Sequence, residues 1–269
     1  LMEDISNLLN NALHLKIRQK VYDYKNRILW GDKLKVLVII PAYNEEKNII
    51  NVVKNLNKKC PDVDYVVIND CSRDNTEKVL IENNLNYVSL PVNLGIGGGV
   101  QTGYKYAVEN AYDIAVQIDG DGQHDPEYLN RLLEPIKNNE ADMVIGSRFI
   151  EKEGFQTSFM RRIGINFLKF LIKLCCGVEI TDTTSGFRAV SKDLAKRFSD
   201  SYAQDYPEPE SIIDSVISGY RVKEVPVVMH ERQEGKSSIN ATKSIYYMIK
   251  VSLAIILCRL SGKKKKKRF

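Results

Sequence analysis

The chain has little cysteine, and its cysteines are not spaced for cross-linking or metal binding. Five occur in 269 residues, an odd number, at positions 60, 71, 175, 176 and 258, and no two form a C-x-x-C pair. This pattern argues against a disulfide framework and against a zinc site, and it favours a reducing compartment.

Long apolar runs are also lacking. Residues 1–30 are polar and amphipathic, without the uninterrupted apolar core of a secretory signal, so we expect no signal peptide there. The most apolar stretch, residues 245–260, is interrupted by Lys250, Ser252 and Arg259. A helix of that length rises about 24 Å, less than the ~30 Å hydrocarbon core of a bilayer. We therefore expect it to dip into one leaflet or to pack in a protein interface, including one with its own copy.

What remains is ordinary globular composition, with 43% hydrophobic and 27% charged residues. Collagenous, disordered and disulfide-scaffold classes are thereby excluded, and no Ser/Gly/Pro-rich linker divides the chain. We expect an N-terminal helical extension over residues 1–32, a main domain over 33–240, and an apolar helix with a basic tail over 241–269.

Positive charge is concentrated at one end. The six basic residues at 263–268 exceed the formal net charge of +5, so the rest of the chain carries −1. Such a run is either an ordinary solvated tail or an attraction to anionic lipid. A nucleic-acid partner is disfavoured, because no basic stripe with interleaved aromatic residues occurs elsewhere.

Short apolar runs alternate with helical patterns through residue 150. Runs of this kind mark strands buried on both faces, and the alternation predicts an open α/β fold with a mostly parallel sheet. The predicted strands are 36–40, 65–68, 113–118, 142–145 and 222–229, and the predicted helices are 45–59, 74–84, 97–111, 126–139, 159–176 and 208–220.

Polar residues follow the predicted strands, where ligands collect in open α/β sheets. Asp119 and Asp121 are spaced to lie on one side of an extended segment, and Gln123 continues the row. Oxygen ligands of this kind suit Mg²⁺ or Mn²⁺ and leave positions open for substrate phosphates. Gly120 leaves room for a diphosphate, and we interpret His124 as a turn residue rather than a ligand.

The glycines between residues 95 and 103 do not form a dinucleotide fingerprint. The G-x-G-x-x-G pattern fails because Val100 and Thr102 stand where its third glycine belongs, and no Walker A lysine pattern occurs. A redox enzyme and a P-loop kinase are therefore disfavoured.

The predicted helix 159–176 has a basic stripe and an apolar face. The stripe consists of Arg162, Asn166, Lys169 and Lys173, and the apolar face of Ile163, Phe167, Phe170, Leu171 and Leu174. Two interpretations stay open: the helix packs on the protein's own core, or it lies in a membrane interface with its cations at the headgroups.

In combination, several motifs make the chain similar to family 2 glycosyltransferases with the GT-A fold, over about residues 35–240. Within that family it most resembles the dolichyl-phosphate mannose synthase and polyprenyl-phosphate glycosyltransferase branch. The motifs are Pro41-Ala42-Tyr43-Asn44-Glu45, Asp70-x-Ser72-x-Asp74-x-Thr76, Asn93-x-Gly95-x-Gly97-Gly98, Asp119-Gly120-Asp121-Gly122-Gln123-His124-x-Pro126-Glu127, Gly146-Ser147-Arg148, Ser185-Gly186-Phe187-Arg188 and Arg232-x-x-Gly235.

This resemblance implies an inverting enzyme that moves a sugar from a nucleotide sugar to a lipid-linked acceptor. It implies a cytoplasmic, peripheral membrane location and a Mg²⁺ or Mn²⁺ cofactor, and we expect a UDP-sugar rather than a GDP-sugar. The implied nucleotide-binding residues are Pro41, Tyr43, Glu45, Asp70, Asp119, Gly120 and Arg232. The implied metal ligands are Asp119, Asp121 and Gln123, and the implied acceptor contacts are Arg148, Arg161, Arg162 and Arg188.

Two departures from the family pattern keep a second acceptor open. Residues 205–210 replace a more compact acidic motif, and Ser238 stands where this branch has a lysine. Polyprenyl phosphate is the leading acceptor, and Asp121 and Arg148 would then serve the reaction. The alternative is a sugar hydroxyl on a lipid-linked glycan, with Glu208 or Glu210 as base. From another class, the chain would be a nucleotide-sugar-binding protein without turnover.

Overall fold

The computed structural model describes residues 34–151, 153–154, 159–205, 207–230 and 250–253. The strands are β1 Val36–Ala42, β2 Asp64–Asn69, β3 Tyr87–Ser89, β4 Ile114–Gln117, β5 Met143–Ser147, β6 Arg188–Ser191 and β7 Val222–Pro226. The α-helices are α1 Ile49–Lys59, α2 Thr76–Glu82, α3 Gly95–Glu109, α4 Leu129–Lys137, α5 Phe159–Cys176, α6 Lys192–Asp200 and α7 Pro207–Ile217, and a 3₁₀ turn at Pro126–Tyr128 precedes α4.

The strands form one sheet in the order β3-β2-β1-β4-β6-β5-β7. Neighbours pair in parallel except around β6, which is antiparallel to β4 and β5. The predicted mostly parallel sheet is thus confirmed. The carboxyl ends of β1, β2, β4 and β5 share one edge, and because β6 runs the other way its first residue, Arg188, pairs with Gln117 at the end of β4.

Apolar side chains explain why the sheet is central. All seven residues of β1 are buried, as expected for a strand covered on both faces. Helix α1 buries Ile49, Val52, Val53 and Leu56, which recur at helical spacing on one face. The core is therefore built between the sheet and one face of each helix.

Helix α3 packs unusually close to its neighbours because of its glycines. A Cβ at Gly103 would overlap the side chain of Ile39, and one at Gly97 would overlap the carbonyl oxygens of Ala203 and Gln204. The amide of Gly97 donates to the Gln204 carbonyl at 3.1 Å. The glycine run therefore serves packing, and it draws residues 203–204 to the start of α3.

The predicted N-terminal extension and most of the predicted tail segment lie outside the described residues. Of that segment only 250–253 is described, and Val251 belongs to the hydrophobic core. Among the described helices, none is long and apolar enough to cross a bilayer.

Candidate active site

Asp119, Asp121 and Gln123 follow β4 and are called the acid row below. They lie at the edge of the sheet where the carboxyl ends of β1, β2, β4 and β5 meet. The side chain of Asp119 is 34% exposed. Asp121 is 4% exposed, and its carboxylate accepts a hydrogen bond from the backbone N–H of Gln123 at 3.1 Å. Gln117 donates from Nε2 to Oδ1 of Asp119 at 3.0 Å. A Cβ at Gly186 would lie 2.8 Å from both carboxylate oxygens of Asp119. The absence of a side chain at Gly186 therefore leaves the space beside this carboxylate open.

His124 fixes the turn that carries the acid row. Its Nδ1 accepts the backbone N–H of Asp119 at 3.0 Å, which places the ring proton on Nε2, 3.7 Å from Oδ2 of Asp119. The ring stacks on Phe187 with centroids 5.1 Å apart. His124 thus faces the Asp119 carboxylate oxygen that Gln117 does not bond.

The chain that leaves β7 is held beside Gln123. His230 donates its backbone N–H to the Gln123 carbonyl at 2.9 Å, and Gln123 Nε2 donates to the His230 carbonyl at 3.3 Å. The His230 ring lies 3.2 Å from Asp125, which also accepts from Lys59 at 2.6 Å. Burial raises the pKa of Asp125, but hydrogen bonds from Lys59, Glu127 and His230 outweigh it, so the pKa lies below its usual value. Arg232 lies outside the described residues.

The loops that follow β1 and β2 are fastened to each other by side chains of the second loop. Ser72 Oγ accepts the Asn44 amide at 3.0 Å, and Thr76 Oγ1 accepts the Glu45 amide at 2.9 Å. Asp74 accepts the amide of Glu46 at 3.2 Å. The polar side chains of residues 70–76 therefore hold the loop after β1 to the loop after β2 and fix the backbone position of Glu45.

Asp70 is buried against the start of α3. It is 5% exposed, and its carboxylate accepts the amides of Leu94, at 2.7 Å, and Gly95. Burial raises the pKa of Asp70 above its usual value, and the two N–H groups oppose that shift only in part. This carboxylate holds the first turn of α3 to the end of β2.

Tyr43, a predicted nucleotide-binding residue, is open to solvent, with 42% of its surface exposed. Pro41 is buried in β1, and its carbonyl oxygen lies 3.0 Å from where a Cβ of Gly120 would stand. The same position is 3.6 Å from Cγ of Glu45. The structure therefore brings Pro41, Glu45 and Gly120 together at one point of the carboxyl edge.

Arg148, at the end of β5, forms a bidentate ion pair. Its Nε and Nη2 donate to Asp182 at 2.7 and 2.8 Å, and Nη2 also donates to Thr184. Asp182 is fully buried, and its amide donates to Glu224 at 2.7 Å. Burial lowers the pKa of Arg148, but the pair with Asp182 and the charge of Asp119 raise it above its usual value. Arg148 is thus fixed as a cation close to the acid row.

A second guanidinium lies beside the first. Arg162 stands 4.1 Å from the ring centroid of Phe149, and Arg148 stands 5.2 Å from the same centroid. Both contacts have cation–π geometry. The side chain of Arg161 is not among those described. The start of α5 and the end of β5 together form a basic pair at the edge that carries the acid row.

Arg188 is buried, with 1% of its surface exposed. It donates to the carbonyls of Ser185 and Glu208, each at 2.6 Å, and to Ser211 Oγ at 2.7 Å. In this arrangement Arg188 joins the start of β6 to the first turn of α7. The geometry gives it a positioning part rather than the acceptor contact that the sequence predicted.

Glu208 and Glu210 lie in the first turn of α7, where a helix N-terminus favours negative charge. Burial raises the pKa of Glu210; Lys250 opposes this shift and Asp205 adds to it. Lys250 also forms an ion pair with Asp205. The charged groups that shift the pKa of Glu210 are thus Lys250 and Asp205.

Three groups at the edge were not singled out from the sequence, namely Gln117, Asp182 and Glu224, and Gly186 was named only as part of a motif without a role. Gln117 carried a usable signal, since it is a polar residue that ends an otherwise apolar, buried strand. The parts played by Asp182 and Gly186 depend on the antiparallel strand β6, which the sequence analysis did not predict.

The donor set at the acid row fits a hard divalent cation. Two carboxylates and the Gln123 amide offer oxygen ligands, and glycines 120 and 186 keep the space around them free of side chains. Within the described ranges, no cluster of three or more His, Cys, Asp or Glu side chains is arranged as a complete metal cage. Mg²⁺ commonly uses one or two carboxylates and takes its other ligands from substrate phosphates and water.

Comparison with known proteins decides the family. Residues 37–198 match the family model described as Glycosyl transferase family 2. The chain belongs to this family. The resemblance inferred from the motifs is thereby confirmed, and this family 2 chain is a glycosyltransferase.

Curated relatives of this glycosyltransferase include two enzymes named for lipid-phosphate acceptors. It is 34% identical over 220 residues to a UDP-N-acetylglucosamine–dolichyl-phosphate N-acetylglucosaminyltransferase of Methanococcus voltae, covering 73% of this chain and 86% of the relative. It is 30% identical over 233 residues to a polyprenol monophosphomannose synthase of Mycolicibacterium smegmatis, covering 81% and 86%.

A solved structure confirms the predicted GT-A fold. Glucosyl-3-phosphoglycerate synthase of Mycobacterium tuberculosis, crystallised with Mn²⁺, UDP-glucose and phosphoglyceric acid, superimposes with a TM-score of 0.65. The match covers 85% of this chain and 80% of that one at 20% identity. At that identity the match speaks for the fold alone.

Proposed function

We propose that this glycosyltransferase moves a sugar from a UDP-sugar to the phosphate of a polyprenyl phosphate, with inversion and with a divalent cation, as a peripheral protein at the cytoplasmic face of a membrane. One observation carries the proposal: the half-open Asp119 carboxylate and the Arg148–Arg162 pair share one edge of the sheet. The relatives named for dolichyl-phosphate and polyprenol acceptors support the lipid phosphate.

The donor is proposed to lie across the ends of β1, β2 and β4. Tyr43 and Glu45 would hold the nucleoside, and the buried Asp70 would set the wall beneath it. Gly120 would admit the diphosphate, over which Arg232 would close. Asp119, Asp121 and Gln123 would hold Mg²⁺ or Mn²⁺, which stabilises the charge of the departing diphosphate as a Lewis acid when bound.

The acceptor is proposed to approach from the opposite side, at the basic pair. A phosphate monoester is largely ionised near neutral pH, so its oxygen needs orientation rather than a base. Arg162 would bind it, and Arg161 would assist. The ion pair with Asp182 holds Arg148 in place and offsets its charge, so Arg148 would act on the acceptor phosphate through its electrostatic field. Arg188 would act only indirectly, by holding the first turn of α7.

The reaction is a single displacement. An acceptor phosphate oxygen forms a bond to the anomeric carbon while the bond from that carbon to the diphosphate oxygen breaks. The electron pair leaves on the nucleoside diphosphate, and no proton is transferred. Attack on the face opposite the leaving group inverts the configuration.

The test is release of nucleoside diphosphate from UDP-N-acetylglucosamine, UDP-glucose and GDP-mannose with Mg²⁺ or Mn²⁺, with and without a short-chain polyprenyl phosphate in detergent. We expect release only when the lipid phosphate is present, and faster with a UDP-sugar. Release stimulated instead by a lipid-linked glycan would overturn the phosphate acceptor and assign Glu208 or Glu210 as base. Binding of nucleotide sugar without any release would show a binding protein.

A further inference from the structure

Strand β7 carries an acid on the side that faces the protein interior. Val222 packs against the hydrophobic core, whereas Lys223 points the other way and pairs with Glu140 at 2.7 Å. Because side chains alternate along a strand, Glu224 lies on the same side as Val222. Burial raises the pKa of Glu224, and hydrogen bonds to its carboxylate oppose that shift only in part. An acid in such a place costs free energy unless its oxygens are hydrogen-bonded.

The carboxylate of Glu224 holds the loop that precedes β6. Its two oxygens accept different backbone N–H groups, those of Thr181 and Asp182, each at 2.7 Å. The hydroxyl of Thr181 lies 3.0 Å from both oxygens and 2.7 Å from the hydroxyl of Ser147 at the end of β5. Glu224 therefore ties this loop to β7 and, through Thr181, to the end of β5.

The same loop carries the counter-ion of Arg148. Asp182 is fully buried and accepts from Nε and Nη2 of Arg148 at 2.7 and 2.8 Å. It also accepts the backbone N–H of Arg148 at 3.2 Å. A bidentate pair fixes both the position and the plane of a guanidinium, so the place of Arg148 depends on that of Asp182. The backbone of Asp182 is in turn held by Glu224.

Glu224 lies away from the acid row. In the sheet order, β7 stands three places from β4, the strand that leads into the acid row. Neighbouring strands are about 4.8 Å apart, so this separation is about 14 Å. An effect of Glu224 on the reaction therefore passes through the loop before β6 and through Arg148.

We propose that Glu224 is a positioning residue for the acceptor, which fixes the backbone of Thr181 and Asp182 and so orients Arg148 toward the acceptor phosphate. This inference rests on the proposed function, which places that phosphate beside Arg148. The hydrogen bonds of Glu224 join β7, β5 and the loop before β6, whereas the proposed donor site is formed by the ends of β1, β2 and β4. We therefore expect donor binding to be independent of Glu224.

Glu224→Gln tests the proposal because it keeps the shape of the side chain but only one of its two acceptor oxygens. In either orientation of the new amide, its NH2 group faces the N–H of Thr181 or that of Asp182, which then loses its partner. A buried N–H without a partner favours opening of the loop. Glu140→Gln is the matched control, since Glu140 pairs with the neighbouring Lys223 on the other side of β7.

Steady-state kinetics with a short-chain polyprenyl phosphate in detergent distinguish three effects of Glu224→Gln. A positioning role raises the KM for the lipid phosphate, by at least about fivefold, and leaves the KM for the nucleotide sugar within about twofold. A merely structural role lowers the active fraction, so that kcat falls and both KM values stay. A purely electrostatic role lowers the KM for the lipid phosphate, because the variant removes a negative charge from its surroundings. We expect the first result, and either of the others overturns the proposal.

Two substitutions at Thr181 keep the proposal testable if Glu224→Gln does not fold. Thr181→Ser keeps the hydroxyl and should keep the wild-type KM for the lipid phosphate. Thr181→Val removes the hydroxyl that Glu224 and Ser147 share, so this KM should rise as in Glu224→Gln. Equal KM values in the two Thr181 variants would contradict the positioning role.

Hydrogen exchange separates this inference from the proposed function, because it needs no substrate. In Glu224→Gln, amide exchange over residues 180–184 should be at least about tenfold faster than in wild type, and exchange over residues 114–124 should be unchanged. If this pattern holds but wild-type protein transfers no sugar to any lipid phosphate, the proposed function fails and the positioning of Arg148 by Glu224 stands. Unchanged exchange over residues 180–184 would overturn the inference whatever the acceptor.

Discussion

The two aspartates of the acid row stand in different surroundings, and their variants should differ accordingly. Asp119 is partly exposed between Gln117 and His124, whereas Asp121 is 4% exposed and accepts the amide of Gln123. The sequence supplied the spacing of these acids. The groups that orient Asp119 are local, since Gln117 ends β4 and His124 lies in the turn that follows. Gly186, which leaves the space beside the carboxylate open, reaches the edge through the antiparallel strand β6.

Asp121→Asn should abolish turnover and leave the fold intact. The amide keeps the volume and one oxygen but loses the negative charge offered to the cation. Partners that merely orient a metal ligand already contribute ten- to a hundredfold, so we expect a loss of at least about a hundredfold. Nucleoside diphosphate release measures the loss, and thermal unfolding checks the fold. Asp200→Asn, at the exposed end of α6, is the matched control, and wild-type rates in Asp121→Asn would remove the metal from the proposed function.

Glu210→Gln should stabilise the protein at neutral pH but not in acid. Burial raises the pKa of Glu210 in the folded state, so ionisation costs more there than in the unfolded chain. Below the unfolded value of about 4.3 both states hold the proton and no penalty exists. As the pH rises from that value to the folded pKa, wild-type protein loses stability that the glutamine variant keeps, and above the folded pKa the difference stays constant.

The measurement is the difference in melting temperature between Glu210→Gln and wild type, followed from acid to neutral pH. We expect the difference to grow with pH, whereas Glu109→Gln, exposed at the end of α3, should show no such trend. Turnover with a polyprenyl phosphate should persist in Glu210→Gln, because that acceptor needs no base. A stable but inactive Glu210→Gln would favour the hydroxyl acceptor.

At the scale of elements, local patterns predicted β1, β2, β4, β5 and β7 and missed β3 and β6. The runs that became β1, β2, β4 and β5 are apolar and β-branched, so burial on both faces is visible in the sequence. β6 is four residues long and begins with a buried arginine, whose side chain donates to Thr183 and Ser185 in the loop just before it and to the first turn of α7. β3 has three half-buried residues at the sheet edge, too few to show a period.

Helix α3 offers a matched pair of glycine substitutions. A Cβ at Gly97 would overlap the carbonyls of Ala203 and Gln204, whereas at Gly99 the nearest atoms are Pro41 Cβ at 3.8 Å and Ile68 Cγ2 at 4.0 Å. Gly97→Ala should therefore destabilise the fold by about 3 kcal/mol, through overpacking and the lost bond to Gln204. Gly99→Ala should stabilise it by about 0.5 kcal/mol through helix propensity. Denaturant unfolding measures both, and equal effects would contradict the packing role of Gly97.

At the scale of the whole molecule, positive charge is concentrated at one end of the chain. The chain apart from residues 263–268 carries −1, so in the proposed function the tail would supply the long-range attraction to anionic lipid. Apolar contacts with a bilayer act only at short range and depend little on salt. The two terms can therefore be separated by ionic strength.

Replacing the five lysines at 263–267 by glutamine lowers the formal net charge from +5 to 0. Each basic residue near an anionic surface contributes about 1 kcal/mol, so vesicle binding at low salt should fall at least about a hundredfold. At a salt concentration that shortens the screening length to a few ångströms, the variant and wild type should bind alike, since only apolar contacts then contribute. Turnover in detergent should be unchanged at both salt concentrations. A tail variant that binds anionic vesicles as wild type does at low salt would mean that the lysines do not contact lipid.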